Sequence, residues 1–228
     1  MKSLKTVKAF VNPLFTRSYW QMVGDYVGIG KHKKTEIIKD RDSLAIFLNT
    51  RASHVAQTSL YGYLRTRAGT RFPEMFENPD ILQSINIAKW HIWLACLSDL
   101  TVYTGYQMHK SREIDELVIK ELVTAALNQV LSETGEPEEA GTDFAAAREK
   151  VVQRIVTCDW KLEHDHDTVF SQSPEALFYW APIADELKEL DESIVKNSIR
   201  YRWIETRRSL HKLLDCKTLI ETLRAAEL

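Results

Sequence analysis

Residues 81–108 read ILQSINIAKWHIWLACLSDLTVYTGYQM. Within them Trp90, Trp93, Leu94 and Leu97 follow the i, i+3, i+4, i+7 spacing of a helix face pressed on a core. The stretch is the most apolar of the chain, yet Lys89, His91 and Asp99 interrupt it. A spanning helix needs about 20 apolar residues with few or no charges, so this segment reads as the central helix of a bundle. His91 and Asp99 are expected to be buried polar groups with partners. A cofactor pocket lined by the tryptophans is the alternative.

Outward from this helix, cap and stop signals repeat. Asn78-Pro79-Asp80 places a cap residue before a proline suited to the first helical turn, and the helix it opens runs to about Lys110. Upstream, Asp40 or Asp42 caps a helix reaching about Arg67, with Gly69 as its stop. Leu44, Phe47, Leu48 and Val55 share one face of it while Ile46, Leu60 and Leu64 fall opposite, so it is expected to pack on two sides. Downstream, a helix fits 112–132, and GEPEEAG at 135–141 forms an acidic loop. Thr142 or Asp143 then caps a helix to about Leu162. Ser173-Pro174-Glu175 starts another, and a final long helical stretch begins at Asp191 or Ser193. The expectation is an all-α protein, an irregular bundle of six to seven helices around an apolar central helix.

Composition agrees. Eight glycines and six prolines in 228 residues are few for a β-sandwich or a βαβ repeat, since average glycine usage is about 7%. A hydrophobic fraction of 44% excludes wholesale disorder. Cys96, Cys158 and Cys216 form no CxxC pair, and all three lie in stretches read as helical. They are expected to be small buried thiols, which points to a reducing, cytoplasmic setting. No secretory signal is visible.

Charge divides the chain. Residues 1–34 hold Lys2, Lys5, Lys8, Arg17, Lys31, Lys33 and Lys34 against Asp25, a net +6 in a chain of net charge −2. Leu4, Val7, Val11, Leu14 and Phe15 lie on one helical arc with Lys2 and Lys5 away from it. Trp20 and its neighbours add aromatic area. We therefore divide the chain into a basic amphipathic N-terminal segment, 1–34, and a helical domain, 35–228. The segment suits docking on the bundle, on a second subunit or on an anionic lipid surface, which would make the protein peripheral on the inner membrane face.

Nucleotide and nucleophile signatures fail. In GIGKHKK at 28–34 a P-loop would need glycine where Asp25 stands and Ser or Thr where His32 stands. Lys33 occupies the third glycine position of GxGxxG. GxSxG is absent, and Asp42-Ser43-Leu44 carries Arg41 in place of the glycine of a GDSL box. Ser43 reads as a capping residue. SxxK occurs at Ser193/Lys196 and Ser209/Lys212 without its usual partner motifs.

The densest cluster of chemical side chains is Glu163-His164-Asp165-His166-Asp167. Glu163, His164, His166 and Asp167 offer imidazole and carboxylate donors to a divalent metal. The competing reading is a solvated polar corner, because adjacent helical residues point in different directions. Two basic patches remain. Arg65, Arg67 and Arg71 lie with Tyr61 and Tyr63 around Gly69, and Arg200, Arg207 and His211 share a face near the C-terminus. The latter lies opposite a core stripe of Ile199, Trp203, Leu210 and Leu214. Either patch can bind an anion or a partner, or form salt bridges within an acidic chain. With so balanced a net charge, nucleic acid is not the expected ligand.

NPLFTRSYW at 12–20, SLYGYLRTRAGTRFPE at 59–74 and INIAKWHIWLACLSDL at 85–100 resemble an uncharacterised alphaproteobacterial helical protein family, over most of the chain. Its members are sometimes labelled esterase. The resemblance implies no site residues, and no nucleophile motif in this chain supports that label. The first half also resembles chaperones that assemble a respiratory cytochrome complex, a pattern missing from the second half. Together these readings make the protein a non-enzymatic helical adaptor or assembly factor. A protein partner or homo-oligomer is expected, with an anionic membrane surface as a further contact. The alternative is a hydrolase or metal-dependent enzyme using the His164/His166 cluster.

Overall fold

The computed structural model of the chain describes residues 37–112, 114–160 and 166–226. Its α-helices are α1 Arg41–Ala68, α2 Pro79–Ser111, α3 Glu116–Thr134, α4 Phe144–Val156, α5 His166–Val169, α6 Gln172–Trp180, α7 Asp185–Leu213 and α8 Cys216–Ala226. Seven of these run nine residues or more. Short 3-10 turns occupy Gly69–Arg71, Pro73–Phe76 and Glu138–Ala140. Among the described residues the only extended pairing is an isolated parallel bridge between Ile38 and Leu214. The protein is all-α, and α2 is its central helix.

Local chemistry fixes the early boundaries. Asp40 accepts the Ser43 N–H at 2.8 Å while the Ser43 hydroxyl accepts the Asp40 N–H at 3.2 Å, a reciprocal capping box. Gly69, at φ +56°, ends α1. Asn78 caps α2 through the N–H groups of Asp80 and Ile81, with Pro79 in the first turn. At its other end Arg112 adopts a left-handed φ of 58°. Asp115 then caps α3 through Leu117 N–H at 2.9 Å, which is why α3 starts at Glu116 rather than at 112.

From His91 to Gly105 every residue of α2 is buried. A helix apolar all round belongs in the middle of a bundle, and α2 packs against α1, α3, α4, α5 and α6. Trp93, Leu94 and Leu97 are in the core as their spacing implied, and Trp90 is half-buried. The Trp93 indole N–H donates to Asn49 Oδ1 on α1 at 3.2 Å. On α1 the residues Leu44, Phe47, Leu48, Val55, Leu60 and Leu64 are buried, but Ile46 is exposed. The acidic loop after α3 folds back on α2, where Glu139 accepts from Lys89 at 2.8 Å and from the Trp90 indole at 3.1 Å.

Three expectations near the C-terminal half need correction. First, α4 stops at Val156, not Leu162, and Cys158 lies outside any helix and is only half-buried. Leaving the helix lets Trp160 lie flat on α2 at Gly105, where a Cβ would meet the indole at 2.6 Å. Second, α7 begins at Asp185, one turn and a half before Asp191. Third, the last helical stretch is two helices. At Leu214 the chain extends to bond Ile38, with Ile38 N–H to Leu213 O at 2.8 Å and Asp215 N–H to Ile38 O at 3.2 Å. Asp215 then caps α8 through the Thr218 N–H at 3.0 Å. Leu214 is thus only half-buried, while Ile199, Trp203 and Leu210 form the expected core stripe.

The contact at Gly105 yields a test. Alanine normally stabilises a helix interior over glycine by about 1 kcal/mol, but here the added methyl displaces Trp160. Gly105→Ala is expected to lower stability by ~1–3 kcal/mol, read by urea unfolding with tryptophan fluorescence. An unchanged or raised midpoint would show that Trp160 does not hold this position. Leu97→Ala, in the fully buried centre of α2, should cost ~2–5 kcal/mol.

Candidate functional site

Asp99 sits at 0% exposure in the fully buried stretch of the central helix. An isolated carboxylate there would be costly, and the fold surrounds it with donors. Arg154 Nη1 on α4 reaches Asp99 Oδ1 at 2.7 Å. The backbone N–H of Ser173 donates to Oδ2 at 2.7 Å and that of Gln172 to Oδ1 at 3.3 Å. These are the first N–H groups of α6, whose own cap residue, Ser171, makes no side-chain cap bond. Asp99 is therefore the cap of α6, supplied from another helix. A negative charge at a helix N-terminus is also favoured by the helix dipole.

The network extends further. Arg154 also donates to Ser98 Oγ at 2.9 Å and to Val169 O at 3.0 Å. The Trp203 indole N–H donates to Ser173 Oγ at 3.0 Å, bringing in α7. Burial pushes the Asp99 carboxyl above its ordinary value against the pull of Arg154 and the Ser173 N–H. Burial likewise pushes the Cys96 thiol up, so it lacks the thiolate character of a nucleophile. The acid and the base of this cluster face each other inside the core. It works as a structural clamp.

His91 is buried two turns earlier. Its ring stacks on Trp180 with centroids 3.8 Å apart and bonds the backbone of Ala140, and burial lowers its pKa. Its Nε2 has no partner among the described residues, so only half of the expectation for His91 holds. Trp180 in turn lines an open groove of about 660 Å³. Ser84 and Ile87 of α2 form one wall, and Tyr179, Lys188 and Glu189 lie on the α6–α7 side. Tyr179 projects into solvent at 70% exposure. Lys188 is held by Tyr179 O at 3.1 Å and by Asp185 at 3.3 Å. The groove is an aromatic-rimmed surface without a converging acid, base and nucleophile.

The basic residues singled out from sequence fall at two places. Arg67 pairs with Asp191, which also accepts the Tyr63 hydroxyl at 3.1 Å, and so ties α1 to α7. Burial and the Asp191 carboxylate push the Tyr63 phenol up to about 12. Arg65 and Arg71 are exposed. At the far end of α7, His211 Nε2 lies 3.2 Å from the Tyr103 hydroxyl. Arg207 lies close enough to oppose the rise that burial gives Tyr103. Arg200 bonds Asn197 at 3.1 Å. Sixteen residues of helix separate Asp191 from Arg207, roughly 24 Å, so the two patches do not converge on one anion.

Lys2, Lys5, Lys8, Phe15 and Trp20 lie outside the described residues, as do Glu163 and His164. His166 and Asp167 open α5. Among the described residues no group of three or more His, Cys, Asp or Glu side chains is placed to hold a metal, and no helix is long and apolar enough to cross a membrane. Sequence reading missed Arg154 as the partner of Asp99, and it missed the groove. A charge in an apolar helix was the visible signal, but its partner lies 55 residues away.

The clamp makes a pH-dependent prediction. Replacing Arg154 by methionine leaves the Asp99 carboxylate buried without a cationic partner, at a cost of ~3–5 kcal/mol near neutral pH. Without Arg154 the folded-state pKa of Asp99 rises further above its unfolded value. The native state then binds the extra proton first, and stability is recovered as pH falls through the raised pKa. The penalty of Arg154→Met, from urea midpoints, is therefore expected to be smaller near pH 5 than near pH 7. A penalty that is the same at both would mean that Asp99 is not charged opposite Arg154.

Compared with family models, with curated proteins and with solved structures, the chain gives no match, so the family resemblance of 12–20, 59–74 and 85–100 gains no support from them.

Proposed function

We propose that this protein is a non-enzymatic helical adaptor or assembly factor that engages a partner protein at the groove between α2 and the α6–α7 turn. The observation that carries this reading is the contrast between the two polar environments. The buried acid of the described core, Asp99, is closed in by its ion pair with the half-buried Arg154. The groove, by contrast, is open and rimmed by the exposed ring of Tyr179 over Trp180. An exposed tyrosine next to a half-buried tryptophan beside a shallow depression suits a protein contact, where such rings serve as anchors.

The basic segment 1–34 supplies a second attachment, electrostatic in kind, to a partner or to an anionic membrane surface on the cytoplasmic side. Each lysine near such a surface contributes about 1 kcal/mol and is screened by salt. The full chain is expected to sediment with anionic vesicles at low salt and to be released at high salt. A Lys2→Glu, Lys5→Glu, Lys8→Glu variant should stay in solution. If wild type also stays in solution, the segment engages protein rather than lipid.

A photo-cross-linking residue in place of Tyr179 tests the groove. A discrete adduct is expected in cells from position 179 and not from Leu117, which is equally exposed on α3. No adduct, or the same adducts from both positions, would remove the groove as a partner site. Elemental analysis of the purified protein tests the enzymatic alternative. Stoichiometric zinc, iron or manganese, lost on replacing His164 and His166, would overturn the adaptor reading.

A further inference from the structure

The buried face of α7 is Val195, Ile199, Trp203, Thr206 and Leu210. On the side turned away, Leu187, Leu190, Ile194 and Tyr201 are 42%, 77%, 69% and 73% exposed. Their spacing of three, four and seven residues sets them in one stripe along the helix. The charges around the stripe are polarised. Before Ile194, Asp191 is held by Arg67, Asp185 by Lys188 and Glu192 by Lys196, which leaves Glu186 and Glu189 beside the stripe. After it, Lys196 is held by Glu175 and Glu192 and Arg202 lies against Gly62 of α1, which leaves Arg200 as the flanking cation. Ile194 lies midway between Leu187 and Tyr201.

We propose that this face pairs with a second copy of the chain, antiparallel and with Ile194 on the twofold axis. Contiguous apolar surface rimmed by charge marks an interaction site, and the charge pattern selects the occupant. Antiparallel pairing about Ile194 lays Glu186 and Glu189 of each copy beside Arg200 of the other, and sets Leu187 and Leu190 against Tyr201. Parallel pairing would set the acids of the two copies level with each other. The chain's own basic segment, net +6, matches the first half of the stripe but meets Arg200 in the second. An anionic lipid surface has the opposite conflict. Only a self-complementary partner satisfies both halves, as a twofold interface requires.

On the helical wheel Glu186, Glu189 and Arg200 share one flank of the stripe, so both acids of one copy fall beside Arg200 of the other. Glu186 and Glu189 have no ion pair among the described residues. The stripe lies on the opposite side of α7 from the groove, so dimerisation and partner binding can fail independently.

Analytical ultracentrifugation of the full chain over a range of concentrations is the test. A concentration-dependent dimer is expected. Ile194→Lys should raise its dissociation constant about tenfold or more while circular dichroism and the thermal midpoint stay unchanged. Arg200→Glu should weaken the dimer, and adding Glu186→Lys to it should restore binding. Under oxidation Ile194→Cys should give a covalent dimer and Leu187→Cys should not, because antiparallel pairing holds the two 187 positions about 21 Å apart. The proposal is overturned by a monomer at every concentration or by a dimer that Ile194→Lys leaves intact. It is equally overturned by cross-linking through position 187, or by vesicle binding that Ile194→Lys abolishes. A monomer whose Ile194→Cys thiol reacts only after Lys2, Lys5 and Lys8 are reversed would assign the stripe to the basic segment instead.

Discussion

One buried carboxylate organises the fold. Asp99, on the central helix, accepts hydrogen bonds from Arg154 of α4 and from the first N–H groups of α6. Ser173, which donates one of them, receives the Trp203 indole of α7. Three helices thus meet at two oxygen atoms, and a fourth joins them through Ser173. Hydrogen bonds to charged groups contribute about 1.5–3 kcal/mol each, and leaving any member unpaired at this depth costs at least as much. The site therefore tolerates one arrangement of its neighbours. That is a source of fold specificity that apolar packing around α2 does not supply, since leucine and tryptophan faces slide with little penalty compared with a donor that misses its acceptor.

The same clamp explains how α6 exists. It is nine residues long, shorter than an isolated helix sustains in water, and its own Ser171 leaves the N-terminus uncapped. Asp99 provides the cap, and Pro174 removes one orphan donor by having no N–H. Phe170, just before α6, lies between Tyr103 and Trp203, at centroid distances of 5.0 and 4.7 Å. Anchored in this way, the far end of α6 carries Tyr179 and Trp180 to the surface, with His91 stacked on Trp180 from the core side of α2. The rim of the groove is thus built on the buried clamp.

Ion pairs that tie helices together and large apolar side chains turned outward fit the adaptor reading proposed above. The charged groups with strong partners are structural: Asp99 with Arg154, Asp191 with Arg67, Glu139 with Lys89. Among the described residues, half of the exposed large hydrophobic side chains lie on α7 or at the end of α6: Leu187, Leu190, Ile194, Tyr201 and Tyr179. The rim aromatics and the outer stripe of α7 present two separate faces from one helical corner, which the proposals above assign to a partner and to a second copy.

The sequence by itself determined where α1 and α2 begin and end. Asp40, Gly69, Asn78 and Pro79 act within four residues of a helix end, so their effect is local and readable. Apolar spacing likewise marked Trp93, Leu97, Ile199 and Trp203 for the core, because burial follows from periodicity. The sequence also flagged Asp99, as a charge where none is free of cost. What it could not supply was the partner: Arg154 and Ser173 lie 55 and 74 residues on, and nothing local relates them to Asp99. The break at Leu214 has the same origin, since the helix ends there to bond Ile38 from the opposite end of the described chain. So does the early end of α4, where Trp160 leaves the helical path to cover Gly105. Tertiary contacts decided these points because a hydrogen bond or a packed ring across the bundle outweighs the few tenths of a kcal/mol by which local propensity favours another turn of helix.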